Sequence, residues 1–343
     1  MKSLKSLYFS AVSALPLNWL LKHSSLDLLV PYHHLVSDSP VPFIEPLYAF
    51  KDLRRFEADL DYMLTHFQPV SLREVIEQRK KALPFRKKSF LLTFDDGLRQ
   101  VYDVVMPLLL RKGVPAALFV CPQFVDNKEL FYDLKKGLIL HKLREVQPSS
   151  SLLVRIGREL HQPVTSTGQL ETLVRSIHYH TQLLADKIGH ILEIDFSGFA
   201  EKCRPFMSSE QIRHFISKGF EVGAHSMDHP LYSTISLEQQ LRQTLDSIQW
   251  VSTTFGLPYK AFAFPHVDTG VTDSFFRRLF ENEALAPDLV LGNRTGMLER
   301  HPRVVHRYIG ENPHLAAGTM VKAVLSYNVF NKAAGSQVIS RAR

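Results

Sequence analysis

The chain has 343 residues, 45% of them hydrophobic, enough to bury a large core in one main domain. Its 41 Lys and Arg against 34 Asp and Glu leave a formal charge of +7, which suits an acidic partner such as an anionic glycan or a membrane surface. The basic residues are scattered and no nucleic-acid motif appears, so nucleic acid is not expected as a partner, and two cysteines, Cys121 and Cys203, exclude a disulfide framework.

The first segment, residues 1–27, has Lys2 and Lys5 ahead of an apolar stretch that is too interrupted to span a bilayer, where roughly 20 apolar residues are needed. Three readings stay open for it. An amphipathic helix with Trp19 near its end can lie on a membrane surface, the segment can dock on the main domain, or it can be a cleaved signal. The first two favour a cytoplasmic or peripheral membrane location over a secreted one.

Strand-like runs follow at 28–34, 90–94, 116–120, 220–224, 261–264, 288–291 and 303–308. Helical patterns intervene at 56–66, 72–79, 101–112, 236–255 and 273–281. Such alternation predicts an α/β fold with a mostly parallel sheet. Residues 127–205 fit a helical insertion beside the mouth of the domain, as scaffold, dimer surface or substrate lid. The domain is expected to end near residue 327, with a flexible tail over 328–343.

Two strand ends carry the chemistry. The run that ends in Asp95-Asp96-Gly97 delivers two carboxylates to the carboxyl edge of a sheet, where α/β enzymes keep their sites. Gly97 permits a sharp turn straight afterwards. The run before Gly223-Ala-His225-Ser-Met-Asp-His229-Pro230 presents two histidines four apart, on one face if the segment turns helically. With one carboxylate they make a two-His, one-carboxylate set suited to zinc or another borderline divalent ion, leaving positions open for water and substrate.

Thr93-Phe-Asp-Asp-Gly97 and His225-Ser-Met-Asp-His229 resemble the first two motifs of the polysaccharide deacetylases, the NodB-homology enzymes. The resemblance runs from about Leu28 to about Tyr308, interrupted by the insertion. It implies a deformed, incomplete (β/α) barrel, Asp95 as general base, and Asp96, His225 and His229 as metal ligands. Val30-Pro-Tyr-His-His-Leu-Val36 is also similar to the first strand of the poly-N-acetylglucosamine deacetylase branch, with His34 aligned to its histidine. An amide hydrolase needs an activated water, a polarised carbonyl and a proton for the departing amine. His34 is the favoured donor of that proton, and His306, in Val304-Val-His306-Arg307, is the alternative. His33 should be the outward neighbour of His34, because adjacent strand residues face opposite ways.

The third family motif, Arg-x-Pro-Tyr-Gly, is changed here to Lys260-Ala-Phe-Ala-Phe-Pro265-His266, without its arginine. Arg307 is the candidate substitute as partner of the base, and His266 is either a site residue or a loop residue. The tryptophan of a fourth motif is also absent. The resulting expectation is a metal-dependent hydrolase that deacetylates an N-acetylated amino sugar in a surface polysaccharide or its precursor, taking a glycan or glycolipid substrate. The rivals are hydrolysis of another non-peptide amide, and a catalytically silent glycan-binding or membrane-associated protein.

Overall fold

The computed structural model of the chain describes residues 4–342. Its strands, in chain order, are β1 (Leu28–Leu29), β2 (Pro31–His33), β3 (Gln68–Pro69), β4 (Ser89–Phe90), β5 (Leu92–Phe94), β6 (Ala116–Val120), β7 (Glu221–Ala224), β8 (Ala261–Ala263), β9 (Leu289–Gly292), β10 (Val304–His306) and β11 (Tyr308–Ile309). The main sheet runs β10-β9-β8-β7-β6-β5-β2-β11, every neighbouring pair parallel. Its two end members are consecutive pieces of one strand. The chain pairs with β9 as far as His306, then crosses at Arg307 to pair Tyr308 with Pro31 of β2. The sheet thereby closes into a barrel. Below it, β1 and β4 continue β2 and β5 downward, and β4 pairs with β1 on one side and β3 on the other in a small second sheet.

The helices are α1 (Leu4–Ser13), α2 (Leu17–His23), α3 (Leu53–His66), α4 (Leu72–Lys80), α5 (Met106–Lys112), α6 (Tyr132–Glu145), α7 (Ser150–Glu159), α8 (Thr167–Ser176), α9 (Leu183–Ile191), α10 (Phe196–Cys203), α11 (Ser209–Ser217), α12 (Leu237–Phe255), α13 (Asp273–Glu281) and α14 (Ala317–Ala333). Strand alternation splits the core by direction. Leu92, Phe94, Leu118, Val222 and Phe262 point outward and meet Phe56, Leu108, Phe215 and Ile248 of the surrounding helices. Leu91, Ala117, Phe119, Ala263 and Leu291 fill the barrel, and Leu72, Val75 and Ile76 of α4 plug its floor. The buried Glu221 carboxylate accepts from the backbone N–H groups of Leu72 and Arg73, satisfying the open end of α4.

The insertion has its own core, in which Ile139, Ile156, Val174 and Ile188 pack with Val41, Phe43 and Ile44 from the loop after β2. Gly137 lies so close to that loop that a Cβ there would meet Phe43 O at 1.9 Å. Three expectations need correction. The helix expected over 101–112 opens with a π turn at Val101–Val105, just before Pro107, which has no N–H to bond back into the preceding turn. The segment expected as a flexible tail is packed: α14 runs on to Ala333, Ile339 is buried, and Arg341 pairs with Asp268 and Glu299. Residues 225–229 form a loop, not a helical turn.

Candidate active site

The site lies at the carboxyl edge of the barrel, where residues that follow the strands turn their side chains inward. Asp95 follows β5 and still bonds as a strand residue, its N–H donating to His33 O at 2.9 Å. Asp96 then turns into the left-handed region at φ 67°, and Gly97 continues at φ 74°. A Cβ on Gly97 would lie 3.0 Å from Val120 Cγ1, so both conformation and space favour glycine there. After β7, Ser226 and His229 adopt positive φ as well, and the Ser226 hydroxyl accepts from His229 N–H at 3.0 Å. Pro230 disfavours a helical conformation for His229. These turns, not a helix face, bring the histidines together. A non-glycine residue in that region costs about 1–3 kcal/mol, the kind of strain that collects at functional sites.

Asp96, His225 and His229 offer ligand atoms that all lie within 4.8 Å of one another, and all three residues are buried. Asp96 Oδ1 stands 3.5 Å from His225 Nε2 and 3.2 Å from His229 Nε2. His225 Nδ1 lies 2.8 Å from Ala263 O, and a carbonyl can only accept, so Nδ1 carries the proton and Nε2 is free as a ligand. Asp96 Oδ1 is buried without a hydrogen-bond partner. Burial opposes charge on Asp96, yet His229, His34 and His225 around it hold its carboxyl well below the usual range. Burial pushes His225 down to about 4. A buried carboxylate oxygen without a hydrogen-bond partner, facing the Nε2 atoms of two imidazoles, is what a divalent ion requires, so these residues fit the metal that their motifs imply.

Asp95 is held by Arg307 through a buried two-pronged ion pair, Nη1 to Oδ1 at 2.7 Å and Nη2 to Oδ2 at 2.9 Å. Arg307 Nε donates to Asn293 Oδ1 at 3.0 Å, and its guanidinium sits 4.8 Å from the centre of the Tyr32 ring. The arginine missing from the third motif is therefore replaced from another strand. His34 donates from Nδ1 to Glu311 Oε1 at 2.7 Å, while its backbone N–H donates to Oε2 at 2.8 Å. Burial would lower His34, but the charge and hydrogen bond of Glu311 outweigh it and raise His34 to about 10. The imidazole is thus held protonated, as a proton donor must be.

His306 is not at the site. Arg307 points into the barrel, so its neighbour His306 points out. There its ring is buried, with Nδ1 accepting from Arg294 N–H at 3.3 Å and Nε2 lying 3.5 Å from Glu299. His33 faces out likewise, against Phe56 and Phe94. Pro265 is buried after β8 and lies outside the cavity lining. His266 is inside it, 4.4 Å from the His229 ring and within 3.2 Å of the Tyr132 hydroxyl, and burial pushes it down to about 3. Asp133 groups with His229 and His266 as a further possible ligand set that shares His229.

These residues open into a cavity of about 660 Å³. Its far wall comes from the insertion and the loop it packs on, through Leu47, Tyr48, Tyr132, Leu134, Arg175 and Ile177. The insertion accordingly borders the site and is more than a remote scaffold. Asn293 lines the rim, as expected for the residues after the strand at 288–291. Sequence reasoning missed Glu311 and Tyr48. Glu311 lies beyond the last recognised motif, and Tyr48 is an ordinary loop residue whose role depends on distant partners.

The sequence model of the family described as "Polysaccharide deacetylase" matches residues 82–275. The chain belongs to this family. It is therefore a hydrolase of carbon–nitrogen bonds other than peptide bonds, on the (β/α) barrel typical of the family. Among solved structures it is similar to a Streptococcus pyogenes deacetylase, PplD, in complex with acetate: 14% identity, TM-score 0.54, covering 87% of this chain and 97% of that one. IcaB from Ammonifex degensii is similar at 19% identity and TM-score 0.52, with 87% and 96% covered. At such identities the likeness speaks for the fold alone. No curated protein matches the chain.

Proposed function

We propose that the chain is a metal-dependent deacetylase of an N-acetylated amino sugar, carried in a surface polysaccharide or its lipid-linked precursor. The observation that carries the metal is the unpartnered, buried Asp96 Oδ1 set between the Nε2 atoms of His225 and His229. Two imidazoles and one carboxylate suit zinc among the common divalent ions. Such an ion, when bound, acidifies water and polarises the acetamide carbonyl.

The chain's own residues account for the proton movements. Asp95, oriented by Arg307, accepts the proton of the attacking water. His34, kept charged by Glu311, gives a proton to the nitrogen as the C–N bond breaks, so that acetate and the free amine leave. Tyr48, whose buried hydroxyl has no partner, lines the cavity beside His34 and offers a hydrogen bond to a sugar hydroxyl or the acetyl group. A silent glycan-binding protein would have no use for a buried base–arginine pair set against a metal trio.

Metal analysis of the purified protein together with acetate release from a panel of acetylated amino sugars tests the reading. Asp96→Asn should lose metal and turnover together, since three protein ligands leave no spare. Full turnover in metal-stripped protein would refute the metal, and no acetate release from any acetylated amino sugar would refute the substrate class.

A further inference from the structure

No Asp or Glu precedes Asp27 in the sequence, and none follows Glu311. The fold gathers these two acid-free ends into one layer. α1 and α2 pack along α14, joined by Lys322 Nζ donating to Ser13 O at 2.7 Å and by Ser25 N–H donating to Asn328 Oδ1 at 2.9 Å. The outer surface of this layer leaves four aromatic side chains uncovered: Tyr8 at 42% exposure, Trp19 at 44%, Tyr327 at 46% and Phe330 at 59%. Lys22 and Lys332 are exposed among them. Lys322 and Lys332 reach main-chain carbonyls, not carboxylates.

We propose that this face of α1, α2 and α14 docks on the surface of an anionic lipid bilayer. Amphipathic rings such as those of Trp and Tyr settle at the headgroup level, and lysines beside them meet the negative surface. Each lysine held near an anionic bilayer contributes about fivefold in affinity. No helix among the described residues is long and apolar enough to cross a membrane, so the mode of contact is lying on the surface. A protein partner would need a matching acidic surface to meet the same lysines, whereas an anionic bilayer supplies that charge without specific residues. The face also leads to the site. A groove of about 400 Å³ between Tyr8 and Tyr327 reaches Asn293, which lines the site cavity as well. A lipid-linked substrate held in the bilayer would approach along it.

Vesicle binding is read without turnover, so it tests this surface independently of the chemistry assigned to the site. The full chain is sedimented with phosphatidylcholine vesicles, with and without a minority of phosphatidylglycerol, at low and high salt. Binding should require phosphatidylglycerol and fall as salt rises. The Trp19→Ala, Phe330→Ala double variant and the Lys22→Glu, Lys332→Glu double variant should each bind at least about tenfold more weakly. Both should keep wild-type deacetylation of a small soluble substrate. Equal binding to the two kinds of vesicle, or salt-insensitive binding, overturns the proposal whether or not the variants fold. Undiminished binding by both double variants also overturns it. So does light scattering that shows a dimer which Phe330→Asp converts to monomer, because a second copy would then cover the face.

Discussion

Arg307 occupies the one position where the last strand changes partner, and that position decides the roles of its neighbours. Its guanidinium is fully buried and depends on Asp95 for its countercharge. Removing one member of such a pair leaves the other uncompensated, at a cost of about 3–5 kcal/mol. Arg307→Lys keeps the charge but loses the fork geometry, and turnover should fall about 100-fold as the base loses its orientation. Asp95→Asn should fall on the order of 100-fold or more while metal content, measured in the same sample, is retained. Retained turnover in Asp95→Asn would remove it as the base.

The proton donor is tested at the same scale. His34→Ala should abolish the basic limb of the pH–rate profile and leave metal content unchanged, whereas His306→Ala should keep the wild-type profile. Glu311 is what lifts His34 to about 10, so Glu311→Gln should move the basic limb to lower pH. A profile that does not shift in Glu311→Gln would show that the acid is another group.

Among the elements, the insertion and the loop after β2 act as one wall. Gly137 on α6 has no room for a side chain against the Phe43 backbone. Gly137→Val must push the two apart, with an overpacking cost of about 1–3 kcal/mol. The residues proposed as base, donor and metal ligands sit at the barrel's edge and not on the insertion, so the variant should raise KM more than it lowers kcat. An equal fall in kcat with unchanged KM would mean that the insertion helps to place the catalytic groups.

Across the whole molecule, buried histidines set the response to acid. Burial depresses His33 and brings His225 to about 4, both below the ordinary imidazole value of 6.5. A depressed group contributes stability that is present above its unfolded pKa and is lost as pH falls through its folded value. His34 behaves in the opposite sense: its contribution is present below 6.5 and is lost as pH rises through about 10. Thermal melts of metal-stripped protein should therefore decline from pH 6.5 toward 4, and again toward 10. A melting temperature that stays flat over the acid range would show that these imidazoles are not buried as described.

By itself the sequence determined the strand positions of the main barrel, the two acids at 95 and 96, the paired histidines and the family, but not β3. Each of those is written locally, in a short apolar run that stops at a polar turn. Only the tertiary structure placed His34 at the cavity and His306 outside it, because which way each strand residue faces is set once the last strand has switched from β9 to β2. The same alternation, applied to residues 306 and 307, could have separated them: if Arg307 serves the base inside the barrel, His306 must face out. Nothing local foretold Glu311, the packing of α14 and its following segment, or the use of the insertion as a wall. Those roles come from contacts between residues far apart in the chain, such as Glu311 with His34 and Arg341 with Asp268. A carboxylate or guanidinium in a loop reads as solvated until the fold removes its water and supplies its partner.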